Sequence, residues 1–282
     1  MNGVPDIGCR GLRLGEALHV SKEEPQAAPL QDRISATRLN TWLGCRLRFF
    51  FRYVQGLTKP KAAATYVGHA VHAVLKHWNL ARWRKENAGT EVLRNELDRV
   101  WTEDQKKEPV QWEPGEESCG KDTAWSLVDL YLRQTPIPAD EMPEGVEVTV
   151  EADLKAHGLP RLIGILDLVR AGGRIVDFKT TGQTPSHERA AHQNEVQMSA
   201  YAVLYREATG RKETGLELHQ LVKLKAPKLV VTELGPMTER QQTRLFKQME
   251  SFVTGVERQD FVPSPGLHCV TCPYSCECRE WS

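Results

Sequence analysis

Two aspartates and a lysine interrupt stretches that are otherwise apolar: Asp167 in Arg161-Leu-Ile-Gly-Ile-Leu-Asp167-Leu-Val-Arg170, then Asp177 and Lys179 in Arg174-Ile-Val-Asp177-Phe-Lys179-Thr-Thr181. A carboxylate in an apolar setting is costly unless it is paired or holds a cation, so two of them on neighbouring strands indicate a divalent-metal site. Side chains alternate along a strand, which sends Asp177 and Lys179 to one face and Phe178 to the other, into the core. An ammonium then stands beside the carboxylates. The alternative is a solvated cross-strand Asp–Lys pair on an exposed hairpin.

A second group of reactive residues lies near the C-terminus. Cys269-Val-Thr-Cys272-Pro-Tyr-Ser-Cys276-Glu-Cys278 holds four of the seven cysteines, after Pro263 and Pro265. No charged start followed by an apolar segment marks the chain for export, so the clustering argues for a bound metal rather than disulfides. Four thiolates this close in sequence would suffice to wrap zinc, although zinc modules space two cysteine pairs by a longer loop. Cys9 and Cys119 fit no partner pattern and read as ordinary thiols.

The elements that must position these groups follow from periodicity. The glycine pair in Ala171-Gly172-Gly173 accepts positive φ between two β-branched, apolar runs, so residues 161–181 read as a hairpin. Val146, Val148 and Val150 alternate with polar residues and predict a strand over 146–154. Residues 216–224 and 228–234 predict a further pair, and Thr238-Glu-Arg-Gln241 a capping box opening a helix. A helix over 190–209, closed by Gly210, puts Gln197 and Tyr201 on one face.

Upstream, Ser35 is a plausible N-cap before Leu39, Trp42 and Leu43, and a second helix over 45–53 carries Cys45. A helix over 66–78 has Val71, Val74, Leu75 and Trp78 as its stripe, with His72 beside it. His69 and His72 are i,i+3 neighbours, so either reaches an ion on that side. A histidine on an apolar helix is more ordinarily a satisfied core residue. Helical patterns continue over 90–107 and, with Asp122 as N-cap, over 122–134. Residues 1–32 mix Gly, Pro, Glu and Ala without period and read as a loose arm.

Composition is that of an ordinary globular chain of 282 residues, 40% hydrophobic and 26% charged, long enough for one large domain or two modest ones. No apolar run is long enough for a membrane span, and a cytoplasmic location is expected. The 37 basic and 37 acidic residues cancel, so a polyanion partner must be met by local clustering. Residues 33–61 provide it: Arg33, Arg38, Arg46, Arg48, Arg52, Lys59 and Lys61, no acid, and Trp42, Phe49, Phe50, Phe51 and Tyr53 interleaved. That mixture suits a phosphate backbone with stacked bases, but most of the aromatics read better as core, with the arginines a solvated face. Residues 86–117 are acidic and read as a solvated helical surface.

Two other patterns fail on inspection. Gly115-Glu-Glu-Ser-Cys-Gly120-Lys121-Asp122 nearly spells a P-loop, but an aspartate replaces the magnesium-binding hydroxyl, no buried strand precedes it, and its glutamates repel phosphate. His187-Glu188 with His192 lacks the four-residue spacing that aims two imidazoles at one zinc.

Taken together, Cys45, His72, Asp167, Asp177-x-Lys179, Gln197 with Tyr201, and Cys269-x2-Cys272-x5-Cys278 resemble the PD-(D/E)XK nuclease superfamily. Within it they resemble the RecB-like branch and its iron–sulfur members, which include the AddB subunit and CRISPR-associated four-cysteine nucleases. The resemblance covers residues 35–281, with no motif matched over 87–144. It implies an α/β, restriction-endonuclease-like core of helix, three-stranded meander, helix and further strand, with flanking helices. One nuclease domain over 33–282 would comprise a helical part (33–145), the catalytic core (146–235) and a helix with the cysteines (236–282).

The resemblance also assigns roles. His72 of Gly68-His69-Ala70-Val71-His72, Asp167, Asp177 and the carbonyl of Phe178 would hold Mg²⁺ or Mn²⁺, and Glu151 matches an acidic position on the first strand. Lys179 would orient the attacking water, Gln197 and Tyr201 steady the site, and Arg46, Arg48 and Arg52 guide the strand. Cys45, Cys269, Cys272 and Cys278 would bind a [4Fe-4S] cluster that staples the N- and C-terminal parts together, with Cys276 an extra thiol. The implied activity is metal-dependent exonucleolytic hydrolysis of DNA, chiefly single-stranded, in repair, recombination or mobile-element and CRISPR-type processing. The alternatives are a structure-specific endonuclease, a nuclease subunit partnered by a helicase, or a silent DNA-binding module; intact Asp167, Asp177 and Lys179 speak against the last.

Overall fold

Ser35 accepts a hydrogen bond from the Arg38 amide at 3.3 Å and caps the first helix, as its place in the sequence predicts. In the computed structural model, which describes residues 32–281, Ser35 also ends a short strand, β1 (Arg33–Ser35), ahead of α1 (Ala36–Gly44). The expected arm lies outside the described residues apart from Asp32. The helix expected over 45–53 is interrupted: Cys45 is extended, α2 (Arg46–Phe49) follows, and residues 50–54 widen into a π-turn.

Next come α3 (Ala63–Arg84) and α4 (Thr90–Lys107). A two-residue parallel pair, β2 (Lys61–Ala62) with β3 (Val110–Gln111), ties the start of α3 to the loop after α4. α5 (Glu116–Gln134) begins at Glu116 rather than at Asp122, because Gly115, at φ +79, already turns the chain into it. The near-P-loop sequence is therefore helix.

The sheet is β4 (Gly145–Ala152), β5 (Arg161–Arg170), β6 (Arg174–Thr181), β7 (Gly215–Val222) and β8 (Lys228–Leu234), with β1 added alongside β5. β4, β5 and β6 form the antiparallel meander; β7 is parallel to β6 and β8 antiparallel to β7. The crossover expected as one helix splits at Asn194 into α6 (His187–Gln193) and α7 (Glu195–Thr209), closed by Gly210 at φ +66. α8 (Glu239–Glu257) carries the capping box of Thr238 and Gln241, and α9 (Ser275–Glu280) follows in the tail.

Helices cover both faces of the sheet. On one, Leu39, Trp42, Leu204 and Phe252 pack on Leu162, Leu166, Ile175 and Leu216; on the other, Val71, Leu75, Leu97 and Tyr131 pack on Leu168, Val176, Phe178 and Leu221. Plain alternation would keep Val146 and Val150 on one face, and likewise Leu166 and Leu168. Instead Val146 packs into the second layer and Val150 into the first, and Leu166 into the first and Leu168 into the second. On β4 the reversal coincides with Glu147, whose φ of 50 is rare for a side-chain-bearing residue. On β5 it coincides with Asp167, which falls opposite Glu147 in the register that pairs Val146 with Leu168 and Val148 with Leu166. Val148, expected inside, is consequently 38% exposed.

β5 also changes partners along one edge. β4 follows it from Leu162 to Val169, whereas the opposite edge is shared by β1, at Arg161 to Ile163, and β6, at Leu168 to Arg170. Among the described residues, 164–167 have no strand on that side, and the cleft opens there.

Candidate active site

Asp167 stands at the end of this gap, one residue before the β5–β6 ladder begins at Leu168. Where the backbone pairing stops, its carboxylate replaces the missing strand: the Phe178 amide donates to Asp167 Oδ2 at 3.0 Å. From α3, His72 brings Nδ1 to 3.5 Å from the same oxygen, with its ring edge-on to Phe178 at 6.0 Å. Gly68 makes that approach feasible, because a Cβ there would sit 2.7 Å from Thr180 Oγ1 on the end of β6. The glycine four residues ahead of His72 is thus a packing requirement. His69 turns away to Asp104, 2.8 Å from it.

His72, Glu147 and Asp167 place ligand atoms within 4.8 Å of one another, the only group of three or more such side chains this close among the described residues. Glu147 was not among the sequence candidates. Glu151, which filled that place, is exposed and pairs with Arg161 at 3.1 Å. Both glutamates occupy the polar positions of the β4 alternation; only the register with β5 selects Glu147.

Asp177 is 1% exposed and stands outside that trio. Lys179 Nζ lies 2.9 Å from its Oδ1 and 2.7 Å from its Oδ2, and Gln197 Nε2 donates to Oδ1 at 2.9 Å. Gln197 in turn accepts from Lys179 at 3.0 Å and donates to the Tyr201 hydroxyl at 2.8 Å. The i,i+4 spacing on α7 therefore places both residues in one network with Asp177. Oδ2 of Asp177 is buried and, beyond its ion-pair contact, accepts no aligned hydrogen bond.

The electrostatics are those of a site short of positive charge. Burial raises the pKa of Asp167, against the pull of His72, the Phe178 amide and Lys179. Burial raises Asp177 as well; Lys179 opposes this and the Asp167 carboxylate adds to it. Burial, then the nearby Asp177 and Asp167, push the Tyr201 phenol above its ordinary range, so it stays protonated. An imidazole, two carboxylates and an open buried oxygen suit a hard divalent cation.

The cleft around these groups is about 1260 Å³, walled by α3, the ends of β4 to β6 and the start of α1. Arg46, Arg48 and Arg52, expected to guide a strand through it, are not in its lining. Arg46 is ion-paired with Asp260 and sits 4.9 Å from the Trp42 ring; Arg52 lies 5.2 Å from Tyr53; Nε of Arg48 is buried without a hydrogen-bond partner. A basic segment reveals its charge but not the direction in which it faces. The lysines of the lining are Lys76, Lys179 and Lys223.

The cysteines gather in a second place, outside the lining of the cleft. Cys45, buried with Leu47, Phe51 and Tyr274, is packed by Cys272 and Cys278. Burial and then Cys45, Cys272 and Cys269 raise the pKa of the Cys278 thiol, so the four thiols lie near enough to act on one another. Cys276 is outside the quartet, its sulfur 3.9 Å from an Arg279 nitrogen. Tyr274 donates to the Leu57 carbonyl at 2.8 Å and Lys59 pairs with Glu277, docking the tail on the segment after α2. Cys119 is exposed on α5, and Cys9 lies outside the described residues.

A search of curated proteins finds no match. Among solved structures, a protein from Eubacterium rectale whose assignment as an exonuclease is itself provisional superposes with a TM-score of 0.61 at 15% identity, covering 89% of each chain. The similarity is one of fold. A second structure, of SSO0001, reaches a TM-score of 0.35 at 12% identity over 82% of this chain and 92% of that one, too distant to carry an argument. A family model described as the PD-(D/E)XK nuclease superfamily matches residues 33–279, nearly all of the described chain. The chain belongs to the PD-(D/E)XK nuclease superfamily.

Proposed function

We propose that this protein is a metal-dependent deoxyribonuclease that digests single-stranded DNA from an end, with the cleft over Asp167 and Asp177 as its active centre. The observation that carries the reading is the coincidence, in one cleft, of the His72, Glu147 and Asp167 trio with the buried Asp177, Lys179, Gln197 and Tyr201 network. His72, Glu147 and Asp167, with Asp177 and the Phe178 carbonyl beside them, would hold Mg²⁺ or Mn²⁺. Bound there, the ions supply Lewis acidity toward the phosphodiester and an acidified water.

The chain's own residues do the rest. Lys179 is a fixed point charge, gripped by Asp177 and Gln197, and is placed to orient a water and to offset charge growing on the phosphate oxygens. Gln197 holds both Lys179 and Asp177, so neither must reorganise as charge develops. Protonated Tyr201 anchors Gln197 from behind. His72, braced against Phe178, fixes the α3 side of the site.

What supports an iron–sulfur cluster on Cys45, Cys269, Cys272 and Cys278 is that the fold gathers cysteines far apart in sequence into one corner. Cys45 is buried in an apolar cluster against which Cys272 and Cys278 pack, and Cys269 is close enough to act on Cys278. The group suits a structural staple between α1, α2 and the tail. End-dependent digestion, a place in DNA repair or mobile-element processing, and a helicase partner rest on the resemblance to iron–sulfur nucleases alone. Among the described residues no helix is long and apolar enough to cross a membrane.

The test is digestion of end-labelled linear and circular single-stranded DNA with Mg²⁺ or Mn²⁺, by anaerobically purified wild type and Lys179→Ala. Degraded linear DNA, surviving circles and an inert variant are the expected outcome. Cut circles replace the exonuclease with an endonuclease, and equal inactivity of both proteins points to a partnered subunit or a binding module.

A further inference from the structure

We propose that Lys223 is a phosphate-binding residue of the cleft, holding a backbone phosphate that neighbours the one being cleaved. The inference rests on the nuclease reading above and adds to it where the substrate strand is gripped.

Lys223 follows β7, and its amide donates to the Thr181 carbonyl at 2.7 Å, which fixes it beside the end of β6. Its half-buried side chain crosses to α3, where Nζ donates to the Ala64 carbonyl at 3.3 Å. An ammonium has three donors, so two remain for a ligand. The surrounding wall is polar, with Thr65, Thr180 and Thr181.

Charge balance separates Lys223 from the other lysines of the cleft. Lys179 is paired with Asp177, and Lys76 has Glu147 at 3.8 Å. Among the described residues no carboxylate lies within ion-pair distance of Lys223. Burial depresses its pKa, and no neighbouring charge is among the causes. A partly desolvated cation without a counter-ion costs stability, and an anionic ligand entering the cleft removes that cost.

Its place in the sheet points to a neighbouring phosphate rather than the reacting one. Lys179 pairs with Gln220 in the parallel register, so Lys223 lies three residues further along, roughly 10 Å at the rise of a strand. The opposite flank has no competing cation of this kind: it is built of Ile163, Ile165, Thr149 and Glu151, with Ile165 47% exposed. The sugar–phosphate backbone therefore runs along the α3 and β6 wall, and the bases face the isoleucines.

The experiment is a substitution cycle on a single-stranded oligonucleotide. Lys223→Ala raises KM about tenfold with kcat little changed, the scale of one charged hydrogen bond, and Lys223→Arg recovers most of the loss. Replacing one linkage beside the cleaved bond by a neutral methylphosphonate costs wild type a similar factor and costs Lys223→Ala nothing more, because each change removes the same contact. The salt slope of log KM also falls by about 0.7 in the variant. Additive penalties, a fall in kcat alone, or an unchanged KM overturn the assignment. Should wild type cleave nothing, the nuclease reading fails separately. Fluorescence anisotropy with the same oligonucleotides then decides for Lys223: coupled losses of affinity support it and additive or absent losses overturn it.

Discussion

The cleft and the cysteine corner both gather metal-binding side chains, yet they are held in opposite ways. In the cleft the strands fix the ligands: Asp167 takes the Phe178 amide at a break in the ladder, and Asp177 is clasped by Lys179 and Gln197 at 2.7–2.9 Å. These contacts exist in the protein alone. In the corner, Cys45 comes from the joint between α1 and α2 while its three partners come from the tail, on loops and one short helix. The cleft is held by the protein's own contacts; on the reading proposed above, the corner is an assembly that an ion or cluster would complete. Loss of metal should therefore cost chemistry in the first and stability in the second.

The largest separation should come from neutralising Asp177. Asp177→Asn keeps shape and a hydrogen-bonding side chain, and Asp167→Asn does the same one strand away. Each should lower kcat on single-stranded DNA by about 10³-fold or more. Melting temperature should hold within a few degrees, since the change also relieves a buried negative charge. Unfolding of either variant, seen by circular dichroism, would break the comparison by showing the cleft to be no less dependent on its charges for folding than the corner is on its thiols.

The corner predicts the reverse. Cys45→Ser should abolish the visible absorbance and iron content of anaerobically prepared protein and lower the melting temperature by about 10 °C, the scale of several kcal/mol in a chain of this size. Cys276→Ser should leave absorbance, iron and melting unchanged, because that sulfur lies outside the quartet. One equivalent of zinc and no iron would replace the cluster with a different staple while leaving the comparison intact.

A finer contrast lies within β4. Glu147→Gln should weaken Mn²⁺ binding, measured by calorimetry, by about 10- to 100-fold, whereas Glu151→Gln should change it less than twofold. Equal effects would mean that the register opposite Asp167 does not select the ligand.

That pair also marks how far the sequence could be read. Asp167, Asp177 and Lys179 stood out as charges in apolar strands, whereas His72, Gln197 and Tyr201 were singled out by the resemblance; all six lie in the cleft or its supporting network. Glu147 was not legible, since alternation puts it on the same side as Glu151 and only pairing with β5, together with a face reversal at φ 50, distinguishes them. Composition gave Arg46, Arg48 and Arg52 no orientation, and they are not in the lining of the cleft. Lys223 gave no local signal, its role depending on carboxylates that are not near it. The cysteines were legible by spacing at one end, and Cys45 by resemblance alone, because nothing local distinguishes a lone thiol.

The cleft's frame should itself be sensitive to acid, through the far end of the sheet. Burial alone would raise the pKa of Glu217, but hydrogen bonds from His219 and Arg174, and the charge of Arg170, hold it down to about 2. A carboxylate depressed in the folded state stabilises above its unfolded pKa of 4.5 and loses that contribution as pH falls toward 2. The loss should amount to about 3 kcal/mol by urea titration, and Glu217→Gln should flatten the acid limb while lowering stability at neutral pH.

The smallest effect isolates packing from chemistry. Gly68→Ala sets a methyl 2.7 Å from Thr180 Oγ1, pressing α3 off the end of β6 and carrying His72 away from Asp167. The cost should be about 1–3 kcal/mol in stability, with Mn²⁺ affinity falling alongside it. Thr180→Ala alone should do little, and in combination it should restore most of both losses, since it removes the atom that the new methyl meets. Rescue of stability without rescue of metal binding would mean that His72 is positioned by something other than this contact. Rescue of both would show that the cleft is set by the fit of a helix against a strand end before any ion arrives, which is the property the cysteine corner lacks.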